Sequence, residues 1–266
     1  MGSWEAHRVV VGSRLAAQLQ YRTSFAFDLA QSVAGTALGF VEVAVVFSNV
    51  SVLADLDLRT AVLVYAIATL GFGLANAVVG PLDTVPQFIR SGTLEVFLVR
   101  PQSVLAQIVT SEVQLRRVGA PLVGAVLLAV AVVITPVHWT PARVALVAVA
   151  PLAGAVIFGS LFVVAGALQF WLVDAAEVTN AFTYGGDYAA QFSSGVFPGP
   201  LRLLLVTAVP VSFAAYLPVA AVLGLPGPRG VPGWLGWCAP LAAVAAAAGA
   251  AVAWRAGLRH YTGAGG

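Results

Sequence analysis

The chain has 266 residues, 60% of them hydrophobic and 9% charged, with a mean hydropathy of +0.93 and a formal net charge of +2. A soluble domain carries roughly 25% charged residues, so the composition excludes an ordinary soluble enzyme, and so small a net charge gives no ground for nucleic-acid binding. All thirteen basic residues are Arg. A P-loop needs a Lys to reach the nucleotide phosphates, so any ATP that drives this protein sits on another polypeptide.

In chain order, residues 4–24 predict an interfacial helix. Val11, Leu15 and Leu19 share a face on which Arg8 and Arg22 intrude, a pattern suited to lying on a membrane. The stretch lacks the roughly 7–15-residue apolar core of a cleavable signal. A first span follows over about 26–53, a polar turn over 55–59 and a second span over about 60–82. A polar segment, Asp83 to Arg117, comes next. The third span covers about 118–135, the fourth about 144–173 and the last about 237–254. At ~20 residues per span, the length holds about six. Cys238, the single cysteine, makes neither an internal disulfide nor a metal site.

The stretch before the last span admits two readings. By hydropathy the fifth span is 201–224 and 174–200 is a loop. Pro210 and Pro218 interrupt that run, and freed backbone groups need neighbours to satisfy them. The alternative makes 175–196 a rather polar fifth span and 199–224 a broken, re-entrant element. Both readings put the two termini on one side. Arg8, Arg14, Arg22, Arg90, Arg100, Arg116, Arg117, Arg255 and Arg259 then share a face, against Arg59, Arg143 and Arg229, with Arg202 depending on the reading. The positive-inside rule makes both termini and the 83–117 segment cytoplasmic.

Two spans carry polar stripes. At about 100° per residue, Asp28, Gln31, Gly35, Gly39, Glu42 and Asn49 fall on one side of the first. Gly35 and Gly39 form a G-x-x-x-G, which lets another helix approach closely. Thr69, Gly73, Asn76, Gly80 and Asp83 repeat the pattern on the second. The stripes suit a bundle interface, a pathway between subunits, or a hydrogen-bonded bundle with no further role. Glu42 lies mid-span, where an acid is a functional-site candidate, and attraction of a cation is one role for it.

Within the polar segment, Thr84 and Gln87 have capping-box spacing. They predict a short helix over 85–91, ended by Gly92. Thr93 then caps a second helix, which Pro101 stops. Leu94, Phe97 and Leu98 share its apolar face, with Glu95 and Arg100 beside it. Such a helix suits the groove of a partner or a bed of lipid headgroups, and spacing does not choose between them.

Three blocks carry a family resemblance. SGTLEVFLVRPQSVLAQIVTSEVQLRRVG (91–119) resembles the G-x-L-D-x-x-L-x-R-P-x-S segment of ABC-2 type transporter permeases. It is most similar to the bacterial ABC-2 family, viologen-exporter-type subgroup. FWLVDAAEVTNAFTYGG (170–186) resembles that subgroup's F-W … E-x-x-N-A-F-x-Y-G-G, and VPVSFAAYLPVAAVLG (209–224) resembles its P-x-A-F-x-x-Y-x-P … L-L-G. FSSGVFPGPLRLLL (192–205) is similar to the S-G-x-x-F-P segment that follows the fifth span in the wider family. Glu95 stands where the subgroup has Asp, which keeps the charge on a longer stem.

The resemblance implies an all-α integral membrane permease in one domain, 1–266. It implies six transmembrane helices, an N-terminal interfacial helix, a cytoplasmic coupling segment over 84–102 and an outer re-entrant region over 197–230. The permease dimerises with an identical or homologous permease and docks two copies of a P-loop ATPase, which hold the ATP and Mg. This chain has no catalytic or metal residues and no cofactor of its own. It sits among the lipids of a bacterial inner membrane with both termini cytoplasmic. Arg90, Glu95, Phe97 and Arg100 are expected to make the ATPase contact. Glu42, Asn49, Asn76, Gly35 and Gly39 are expected along the translocation pathway or permease interface. A secondary transporter predicts paired broken helices in two related halves, and only one broken region, 199–224, is visible. A scaffold without transport has no use for the coupling segment. An intramembrane enzyme fits poorly, because His7, His138 and His260 fall outside the spans and no G-x-S-x-G elbow occurs.

Overall fold

A computed structural model describes residue 12 and residues 22–53, 55–112, 114–172, 176–228 and 231–263. The interfacial helix expected over 4–24 lies almost wholly outside them, as do Arg8, Arg14 and Arg229. The described residues are helical, with one isolated bridge between Leu53 and Leu56 and no sheet.

The long helices are α1 (Arg22–Asn49), α2 (Leu58–Val79), α6 (Gly119–Ile134), α7 (Pro141–Leu168) and α11 (Ala239–His260). Five stretches among the described residues are long and apolar enough to cross a membrane: Thr23–Asn49, Leu58–Arg90, Leu115–Ile134, Pro141–Leu168 and Gly233–His260. This is an all-α, multi-span membrane protein. The last helix runs past the expected 254, because Arg255 and Arg259 continue the helix beyond its apolar part.

The turn expected over 55–59 is a helix start. Asp57 accepts from the Thr60 amide at 3.0 Å, and the Thr60 hydroxyl accepts from the Asp57 amide at 3.0 Å. This reciprocal pair satisfies two donors that the first turn of α2 leaves unpaired. Asp55, just before it, holds φ at 67°, a backbone region that Asp tolerates better than most residues.

The helix α2 is the centre of the bundle. It is mostly buried, whereas α1 is mostly exposed. Apolar burial gives little drive between helices in lipid, so close approach and dispersion do the work. Gly124 of α6 lies directly over the backbone of Leu70, where an added Cβ would fall 2.6 Å from the amide nitrogen. Gly73 of α2 meets Pro121 of α6 in the same way, at 2.6 Å from its ring. The helix α7 covers the other side of α2, and α11 lies along α7. Their ends are joined by Phe170 against Trp254, with ring centroids 5.4 Å apart.

Residues 176–228 and 231–238 are broken into short helices and turns. They form α8 (Ala176–Ala190), a 3-10 turn at Ser194–Val196, α9 (Gly199–Val206), a 3-10 turn at Val211–Phe213, α10 (Tyr216–Leu223) and a 3-10 turn at Gly233–Cys238. The run 201–224 is therefore no single helix. Pro210 lies in the break, whereas Pro218 sits in the first turn of α10, where its missing N–H costs nothing. Non-helical backbone at membrane depth survives when protein buries and satisfies it. Arg202 does this work with hydrogen bonds to the carbonyls of Ser194 (3.2 Å), Gly195 (3.4 Å) and Phe197 (2.8 Å). Buried Ser194 and Ser212 hydroxyls share a further bond of 2.7 Å.

Candidate functional site

A cavity of about 640 Å³ lies between α1, α2, α8 and the turn that leads into α6. Helix α1 contributes Asp28, Gln31, Ser32, Gly35, Thr36, Gly39 and Glu42. Their spacing of three and four residues puts them on one face. From α2 come Tyr65, Thr69, Phe72 and Asn76, from α8 come Tyr184, Asp187 and Tyr188, and Gln191 follows just past its end. Arg116 and Arg117 close one end. The opposite face of α1 is apolar and exposed, with Phe27, Leu38, Val41 and Val45 pointing outward, as a lipid-facing helix requires.

The wall combines three carboxylates (Asp28, Glu42, Asp187) with amides and aromatic faces. The Tyr65 hydroxyl donates to the Thr36 carbonyl at 2.8 Å and so ties α2 to α1. Gly39 makes room for it, since a Cβ there would lie 2.8 Å from the Tyr65 oxygen. Asp187 accepts from the Gln191 amide at 3.1 Å through Oδ2. Its Oδ1 is buried and has no hydrogen-bond partner among the described residues. Carboxylates beside tyrosine rings suit a positively charged or polar head group with an apolar body. No group of three or more His, Cys, Asp or Glu that would hold a metal occurs among the described residues.

Four of the five residues expected on the pathway or interface, Glu42, Asn76, Gly35 and Gly39, line this one cavity. Asn49 does not. It ends α1, exposed, and donates to the Val45 carbonyl (2.9 Å) and the Ser48 hydroxyl (3.1 Å). Around Gly35 an added Cβ would find nothing within 4 Å among the described residues. The sequence reading missed Tyr65, Tyr184, Asp187, Tyr188 and Gln191. The signal for the last four was an acid and two tyrosines at helical spacing in a 15-residue helix too polar for a hydropathy window.

The segment between α2 and α6 folds as a 3-10 turn (Gly80–Thr84), α3 (Val85–Arg90), α4 (Thr93–Leu98), α5 (Val104–Ser111) and a second 3-10 turn (Leu115–Val118). Gly92 separates α3 from α4 at φ 69°, a left-handed conformation that favours glycine. The expected cap at Thr84 is absent. A cap needs extended backbone, but Thr84 ends a 3-10 turn, and its hydroxyl donates back to the Pro81 carbonyl at 2.7 Å. Pro86 also removes one amide that a cap would bind. Gly92, not Thr93, precedes the first residue of α4.

Arg90, Glu95 and Arg100 lie on the surface, but Phe97 faces inward and is 8% exposed. Leu94 is fully buried beside it. The Phe97 ring packs edge-on against Phe88 at 5.3 Å, and its carbonyl accepts from Gln107 at 2.9 Å. Phe97 therefore supports α4 from behind, and Val96, Leu98 and Val99 are the apolar side chains at its surface. Tyr261 and Gly263 lie near Glu95. Burial, with the Glu95 carboxylate second, pushes the Tyr261 phenol above its ordinary value.

A family model described as ABC-2 family transporter protein matches residues 33–265. No curated protein and no solved structure matches the chain. The matched residues hold all five long helices, the cavity and the α3–α5 segment, apart from the first turns of α1. With its multi-span, all-helical structure, the chain belongs to the ABC-2 family of transporter membrane proteins.

Proposed function

We propose that this chain is the permease subunit of an ATP-driven exporter of amphiphilic small molecules. It works with a second permease, identical or homologous, and with two copies of a separate P-loop ATPase. The observation that carries this reading is the 640 Å³ cavity of carboxylates, amides and tyrosines beside the weakly buried α1. A pathway completed by a second permease would leave such a wall open in one chain alone.

The arginine count supports a cytoplasmic location for α3–α5 and for both termini. In a bacterial inner membrane, Arg90, Glu95 and Arg100 then face the ATPase, with Val96, Leu98 and Val99 as the apolar part of the contact. Phe97 acts by holding α4 in place. ATP binding closes the two ATPases, α3 and α4 carry that motion into the spans, and the pathway changes its opening from one side to the other. Glu42 and Asp187 favour a cationic head group within it. The stretch 197–230 is the outer re-entrant region, and α8 together with its flanks is the fifth of six crossings.

Charge reversal at the contact tests the reading. In membrane vesicles that hold the permease and its ATPase, Glu95→Arg is expected to lower ATP-dependent transport about tenfold, equivalent to about 1.4 kcal/mol. A variant that assembles and transports at the wild-type rate would overturn the coupling assignment. Wild-type transport that follows an ion gradient and ignores ATP would instead make the protein a secondary transporter.

A further inference from the structure

The segment from Asp83 to Arg117 is bonded to the cavity wall at both of its ends. At its start, Asp83 lies in the 3-10 turn between α2 and α3. Its Oδ2 accepts a 2.7 Å hydrogen bond from the Tyr184 hydroxyl, 101 residues away on α8. The Tyr184 ring packs edge-on against Phe72 of α2 at 5.6 Å and Phe162 of α7 at 6.0 Å, two rings that lie 5.8 Å from each other.

At the far end of the segment, the Arg117 guanidinium donates to the side-chain oxygen of Asn76 on α2 and to Gln114 at 3.2 Å. Arg117 also stands within electrostatic reach of Asp83 and Tyr184. A Cβ at Gly80 would meet the Arg117 guanidinium and the Asn76 oxygen, the far ends of two flexible side chains. Tyr184, Asn76 and Arg117 all line the cavity.

This arrangement has a mechanical consequence. A hydrogen bond to a carboxylate is short, directional and about twice as strong as one between neutral groups. These two rings back the tyrosine from one side, and the hydrogen bond is what ties Asp83 to α8. Displacement of the segment must therefore move α8 or break the bond, and interfaces of this kind have discrete arrangements rather than a continuous range.

We propose that Tyr184 and Asp83, braced by Arg117 and Asn76, form a latch that transmits movement of the coupling segment to α8 and so sets the shape of the cavity. This rests on the reading of the segment as the ATPase contact. Tyr184 and Asp83 are positioning residues in this role. A bond that only stabilised the fold would change melting temperature without changing how many substrate molecules move per ATP.

The test uses the complex with its ATPase reconstituted in proteoliposomes, a fluorescent amphiphilic cation as probe, and transport per ATP hydrolysed as the readout. Asp83→Ala and Tyr184→Phe are each expected to lower that ratio at least about tenfold, and the double variant no further, as two halves of one interaction require. Asp83→Asn, whose amide oxygen still accepts from Tyr184, restores most of it. An unchanged ratio in both single variants overturns the latch, and so do additive losses. Losses that track a lower melting temperature and a lower ATPase rate in proportion also overturn it, since they mark a structural bond only. A wild-type complex with no ATP-driven transport overturns the permease reading, and the latch with it.

Discussion

Glu42 is exposed to the cavity about two turns before the end of α1, and one turn from Gly39. An acid facing lipid at the centre of a span costs about 2.5–3.5 kcal/mol to insert, and less towards its end. A polar cavity removes most of that cost and keeps the charge available. Replacing it with Gln should slow transport of a cationic amphiphile about tenfold, equivalent to about 1.4 kcal/mol, and leave a neutral analogue of the same shape unaffected. Vesicle uptake of the two probes checks this, and equal losses would mean that Glu42 supports the wall rather than reading charge. Glu42 and Asn76 were legible in the sequence because a carboxylate or amide inside an apolar run stands out against its neighbours. Asp187 and Tyr184 were not assigned to the site, because their helix is polar along its length, although Tyr184 stands in the N-A-F-x-Y-G-G block. Tyr65 was hidden the other way, in a run so apolar that its hydroxyl drew no attention. Asn49 was placed in the stripe by angle alone, but the helix ends there and its side chain satisfies the last turn.

The long helices follow from their sequences in a simple way, since each is an apolar stretch ended by a polar turn or a proline. Their contacts follow from glycines that no hydropathy plot weighs. Gly124 on α6 is the sharpest case, with the Leu70 backbone where a Cβ would be. Gly124→Ala should push α2 and α6 apart and cost about 1–3 kcal/mol, in the range of overpacked cores. Gly35→Ala, with open space around it, should leave stability unchanged. Thermal unfolding in detergent distinguishes the two, and equal melting temperatures would show that α6 does not sit on α2 as described. The elements that sequence reasoning found hardest are those whose backbone is satisfied from far away. The loop at 194–197 depends on Arg202, and Ser194 depends on Ser212. Local spacing misled at Thr84 for a related reason, because the preceding 3-10 turn had already fixed the backbone that a cap requires.

At the scale of the molecule, two surfaces are incomplete in one chain. Helix α1, mostly exposed, leaves a polar cavity open. Helices α3 and α4 present arginines, a glutamate and apolar side chains away from the core. On the proposed reading a second permease completes the first surface and a P-loop ATPase docks on the second. The most direct test is to purify the tagged protein from its native membrane in mild detergent and identify by mass spectrometry what comes with it. A P-loop ATPase in stoichiometric amount is the predicted result, with a related permease if the pair is a heterodimer. Recovery of the chain with no ATPase, in several detergents and in nanodiscs, would contradict the account.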